Sequence, residues 1–280
     1  MDEKNFFSIK AIDIHSHLGP DHGPIPMGEV QNGSAAYLLR TMKIANIGMS
    51  VNTSRYAIMP RGSGYTVRGN QLLLEQIAEL PGVYGWVTVD PHEPESYTQA
   101  EEMVKHPKIL GLKIHPEEHE YNLVDFGDEL FSLADRLQVP LLGHSGGPRC
   151  MPEVFCHFAN CYPNVKVIAA HLGSGPDGDP THHIRAIEEN LHGNLYTDTS
   201  SAMSVLANLL EYAVGRIGAD HILFGTDSSC YFSPSQRIRV EAADISEEDK
   251  NKILRENALM LFPQLRENIS LGADVLALSD

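Results

Sequence analysis

Eight short apolar runs rich in β-branched residues punctuate the sequence, at 11–15, 49–54, 83–89, 109–115, 139–144, 165–171, 194–198 and 221–227. Segments of helical period separate them. Ser34 caps one that carries Tyr37, Leu38, Met42 and Ile44, and Asn70 opens another with Leu73, Leu74 and Ile77. Others follow at about 95–105, 125–137, 152–161, 181–191 and 202–217, and the last runs from Ser246, where Ser-Glu-Glu-Asp resembles a capping box, to Phe262. A strand–helix pair repeated eight times is the pattern of an α/β chain closed into a single (β/α)8 barrel, the TIM barrel. The runs are apolar nearly throughout, as strands are when both faces are buried. The 280 residues suit one such barrel, and no linker-like stretch divides them, so one domain over 1–280 is expected.

In a barrel of this kind the working side chains stand at the C-terminal ends of the strands. Five polar residues occupy such positions. The first run ends in His15-Ser-His17, whose two imidazoles share a face about 7 Å apart along the strand. The fifth run closes on His144, the sixth on His171 and the eighth on Asp227, each opening a Gly- or Ser-rich stretch (HSGG, HLGSG, TDSS) that leaves room for a ligand. Five arrivals at one rim, four imidazoles and a carboxylate, are the donor set of a metal site. On the fourth run, GLKIHP places Lys113 and His115 on one face.

These positions resemble the amidohydrolase superfamily, most closely its metal-dependent decarboxylase and hydrolase (amidohydrolase-related) branch, and the stretch ILRENALMLF (253–262) looks like that branch's closing helix. The resemblance implies one divalent metal held by His15, His17, His144 and Asp227, with water completing the shell. Zinc is favoured, and manganese, cobalt or iron also suit imidazole and carboxylate. It implies that Asp227 relays protons as well as binding metal, and that His171 is an acid/base group beside it. Binuclear members carry a carboxylated lysine on the fourth strand, so His171, His115 and Lys113 are candidates for a second metal or for substrate. The activity favoured is hydrolysis of an amide, lactone or other ester bond in a small polar molecule by metal-bound water or hydroxide. The alternative is a metal-dependent, non-oxidative decarboxylase (carboxy-lyase) of a small carboxylic acid. The compact chain, without large insertions, tips the choice toward hydrolysis.

Other features have plainer readings beside the functional ones. Arg61 and Arg68, in the stretch after the second run, are candidates for binding a substrate carboxylate or for pairing with surface acids; Arg55, Tyr65, Tyr231, Phe232 and Arg237 share that ambiguity. Asp198 ends the seventh run and can support a metal ligand from behind. His182 and His183 read as surface residues, and His22, His92 and His119 as rim-loop residues. GSGPDG (173–178) matches a dinucleotide-binding fingerprint, but Pro176 and Pro180 keep a helix from starting among its glycines.

The net charge of −16 argues against nucleic acid and anionic membranes as partners. No secretory leader or membrane span is evident, and the four cysteines form no C-x-x-C pair, which together read as a cytoplasmic protein with reduced thiols. A small-molecule substrate and a homo-oligomer are compatible with these features.

Overall fold

The computed structural model describes residues 7–19, 30–59 and 65–266. Its strands are β1 (Ala11–Leu18), β2 (Ile47–Ser54), β3 (Val83–Thr88), β4 (Ile109–Ile114), β5 (Leu141–Gly143), β6 (Val167–Ala169), β7 (Leu195–Asp198) and β8 (Ile222–Leu223). They pair in parallel in the order of the chain. The ring closes where Ile14 N donates to Phe224 O at 3.0 Å and Ser16 bridges Ser228. This is a single (β/α)8 barrel.

The helices are α1 (Ala35–Ile44), α2 (Arg55–Ile58), α3 (Thr66–Ile77), α4 (Glu95–Met103), α5 (Leu123–Leu137), α6 (Pro152–Cys161), α7 (His182–Glu188), α8 (Leu209–Ile217), α9 (Ser233–Glu241), α10 (Glu247–Asn251) and, after a π-helical turn at Lys252–Glu256, α11 (Asn257–Leu261). Ser34 caps α1 by accepting the N–H of Tyr37, and Ser246 caps α10 by accepting that of Asp249, as the sequence suggests. None of the described helices is long and apolar enough to cross a membrane.

Two apolar layers follow from the alternation of strand side chains. One lies between strands and helices and includes Leu38, Leu73, Phe131, Phe155 and Leu210. The other fills the barrel with Ile12, Ile14, Tyr84, Trp86, Leu142 and Ile168, and is closed underneath by Leu259, Leu261, Phe262 and Leu265. Trp86 anchors that floor: its Nε1 donates to Ile14 O at 2.8 Å, and its ring meets Phe262 edge-on at 5.6 Å.

Four elements depart from the sequence reading in ways that bear on the site. The sixth and eighth strands are shorter than their apolar runs, and His171 (φ 74°) and Asp227 (φ 53°), at the ends of those runs, take left-handed backbone outside the strands. The helix expected to open at Asn70 begins at Thr66, where Glu93 accepts the first free N–H groups, 2.8 Å from Thr66 N and 3.3 Å from Val67 N. Finally, β1 shifts register against β2 between Asp13 and Ser16. The extra residue lets Ile14 and its neighbour His15 both turn inward, the re-aiming that a bulge permits beside a functional site.

Candidate metal centre

A cavity of about 360 Å³ opens at the C-terminal end of the barrel, lined by His15, His17, Lys113, His115, His144, His171 and Asp227 together with loop residues that include Met59, Glu117 and Tyr231. Its floor is assembled from β1 outward. The carbonyl of His15 accepts the N–H of Asp227 at 2.7 Å, so the loop after β8 is sewn to the first strand. That link brings Asp227 Oδ1 to 2.6 Å from His17 Nε2 and 3.9 Å from His15 Nε2. His15, His17 and Asp227 offer donor atoms that all lie within 4.8 Å of one another, close enough to share one ion. Two imidazoles and a carboxylate suit a divalent cation of the first transition row.

The nitrogens of these rings have assigned roles. His15 Nδ1 lies 2.8 Å from Asp198 Oδ2, so it carries the hydrogen and leaves the Nε2 lone pair toward the cavity. His17 is held at Nδ1 by Thr53 Oγ1. His171 donates from Nδ1 to the carbonyl of Ser200, whose own hydroxyl is committed to Asp198. His171 Nε2 is therefore an acceptor, and His144 Nδ1, 2.9 Å away, donates to it. The consequence is that His144 presents the lone pair of Nε2. His15, His171 and Asp198 also lie within 4.8 Å, but the tautomer of His171 makes that group a hydrogen-bonded support for the floor.

Electrostatics match the geometry. Burial alone would raise Asp198 and Asp227, yet their imidazole neighbours, His15 for the first and His17 for the second, hold both carboxyls well below the ordinary carboxylate range. Burial, reinforced by Lys113, lowers His15 to about 3, which keeps its imidazole neutral. Burial also lowers His144 well below its usual value. Lys113 is fully buried, and burial brings its ammonium down to about 8. Its Nζ stands 2.9 Å from His15 Nε2, so that lone pair serves either Lys113 or a metal ion, not both.

Of the residues singled out in the sequence, His15, His17, His144, His171, Asp227, Lys113 and His115 all line this cavity. Arg68 does not: it lies on the exposed side of α3, 3.7 Å from Glu75, because the helix begins earlier than expected and carries the side chain outward. Arg61 and His22 lie outside the described residues. Arg237 is buried against Phe7 and pairs with Glu241 at 2.9 Å, away from the cavity. His182 and His183 are buried rather than superficial: His182 bridges Glu153 (2.6 Å) and Asp177 (3.0 Å), and His183 Nε2 bonds Ser145 Oγ and Ala170 O, both at 2.8 Å. Sequence reasoning passed over Asp13, a buried carboxyl that burial pushes up to about 7 while Ser16 Oγ, Thr226 Oγ1 and two backbone N–H groups bind it. Its place inside an apolar run, two residues before His15, was the available signal.

The family model described as Amidohydrolase matches residues 12–264. The chain belongs to the amidohydrolase family. No match was found among curated protein sequences. Among solved structures, this amidohydrolase is similar to the dihydroxybenzoic acid decarboxylase of Polaromonas sp. JS666, a structure with bound manganese and the inhibitor 2-nitroresorcinol, at 20% identity over 92% of this chain and 98% of that one, TM-score 0.69. It is also similar to the 2,6-dihydroxybenzoate decarboxylase from Rhizobium, at 17% identity over 90% and 98%, TM-score 0.67. The 5-carboxyvanillate decarboxylase of Sphingomonas paucimobilis shares 14% identity over 91% and 99%, TM-score 0.71. At these identities the likeness is one of fold.

Proposed function

We propose that this amidohydrolase is a metal-dependent, non-oxidative decarboxylase of a small carboxylic acid, the second of the two reactions that the sequence left open. The observation that carries the reading is the cavity floor, where the donor atoms of His15, His17 and Asp227 gather beside the buried ammonium of Lys113. The similar folds are named for decarboxylases, which favours this reaction over hydrolysis. Hydrolysis of an amide, lactone or ester stays as the outcome that the test below would reveal instead.

His15, His17 and Asp227 would hold one divalent ion, with His144 Nε2 as the fourth donor. We place manganese, the ion named for one similar structure, ahead of zinc. Such an ion supplies Lewis acidity that fixes and polarises a substrate oxygen. Lys113, the one cation among the described residues lining the cavity, draws the carboxylate inward. Loss of carbon dioxide leaves the bonding electron pair on carbon, and a proton must take its place. His171 is bound at both ring nitrogens, so its part is to hold the tautomer of His144. Lys113, whose buried amine faces the cavity, is the group placed to deliver it. Asp227, held ionised, binds metal and takes no proton in this scheme.

The test is an incubation of manganese-loaded protein with 2,6-dihydroxybenzoate and related hydroxybenzoates in deuterated, oxygen-labelled water. Release of carbon dioxide with one deuteron on the product carbon supports the proposal. Label entering a carboxyl product from esters, amides or lactones, with no carbon dioxide from any acid, overturns it in favour of hydrolysis.

A further inference from the structure

Lys113 on β4 and His115 just after it reach the cavity, and the role of the second is set by a backbone contact. The ring of His115 lies over that of His144, centroids 4.1 Å apart and 11° from parallel, which fixes its plane. Its Nδ1 accepts the N–H of Glu118 at 3.2 Å, in the tight turn that follows the strand. A nitrogen that receives a hydrogen bond offers its lone pair, so the ring hydrogen sits on Nε2. None of the described residues hydrogen-bonds Nε2, and the side chain lines the cavity. The two stacked rings thus have opposite polarity. His144 presents a lone pair at Nε2, whereas His115 presents a hydrogen.

We infer that His115 is a specificity-determining residue that donates its Nε2 hydrogen to an oxygen of the bound substrate, and that it is not the ligand of a second metal ion. Ligation through Nε2 would force the hydrogen onto Nδ1, where it would confront the Glu118 N–H. The identity of the oxygen rests on the decarboxylase reading: a small hydroxy acid supplies carboxylate and hydroxyl oxygens that can accept. A substrate lacking an acceptor there leaves the N–H buried and unpaired, which is how a built donor rejects it.

Three measurements test this. Long-range proton–nitrogen spectra of the protein should show His115 with its hydrogen on Nε2; the opposite tautomer overturns the inference. Manganese per chain should be unchanged in His115→Phe and His115→Gln, and a fall in both would place His115 in a metal site and overturn it. Binding of 2,6-dihydroxybenzoate and 2-nitroresorcinol to the manganese-loaded protein should weaken about tenfold in His115→Phe. His115→Gln, whose amide N–H reaches the same place, should recover part of that loss. Equal binding by wild type and His115→Phe, or no binding of either probe by wild type, overturns it. Probes that bind through His115 with no carbon dioxide released would leave this inference standing while the decarboxylase reading falls.

Discussion

The two ends of the barrel are built by the same strands and obey opposite rules. At the floor, Trp86, Phe262 and Leu265 pack in an apolar layer in which shape and area set the energy. At the mouth, imidazoles and carboxylates are buried too, and hydrogen bonds such as the one Asp198 accepts from His15 offset the cost of burying them. The contrast separates stability from function along a single strand: a change low in the barrel costs folding energy, and one at the top costs chemistry.

The sharpest challenge to that separation is the double variant His15→Ala, His17→Ala. Metal measured by mass spectrometry should fall from near one equivalent to background, and decarboxylation with it, while circular dichroism still reports the barrel. Collapse of the fold would show that the mouth is also a stability element. At the other end, Phe262→Ala removes a fully buried ring and should cost about 3–5 kcal/mol in urea unfolding. Its metal content should stay at the wild-type level, and loss of metal would merge the two regions.

A smaller effect lies between them, in the buried His183. Burial lowers it from 6.5 to about 4, so the folded state keeps it neutral where the unfolded chain would already bind a proton. Its contribution is complete above pH 6.5 and is lost as pH falls through that value toward about 4. His183→Gln should flatten the dependence of urea stability on pH in that window; an unchanged slope would mean that other groups carry it. The smallest effect is expected of Arg68→Ala. This exposed helix position, paired only with surface neighbours, should change stability by less than about 0.5 kcal/mol and leave KM for the acid unaltered. A rise in KM would return Arg68 to the substrate.

Much of this division could be read in advance. The eight strands announce themselves because parallel strands covered on both faces must be apolar along their length. The polar residues that interrupt the runs mark the mouth for the same reason. What could not be read depends on contacts between distant segments. The bulge in β1 is defined against β2, so no pattern within residues 11–18 reveals that Ile14 and His15 both turn inward. His182 and His183 look like ordinary polar residues at a helix start, and only the arrival of Glu153, Ser145 and Ala170 from other βα units explains their burial. For Arg68 the sequence left a substrate carboxylate and surface acids both open, and the start of α3 at Thr66 rather than Asn70 carries its side chain out of the loop, toward Glu75.

The floor also has a consequence for how the molecule is made. The residues that seal the barrel from below, Leu259 to Leu265, are synthesised after all eight strands, and the first strand finds its closing partner only when Phe224 and Ser228 have emerged. Until then the inner faces of the strands already made lack the cover that Leu259 to Leu265 give them in the finished barrel. Ring closure and sealing therefore come late in translation. The interval before them is when this chain most needs protection from its neighbours on the polysome.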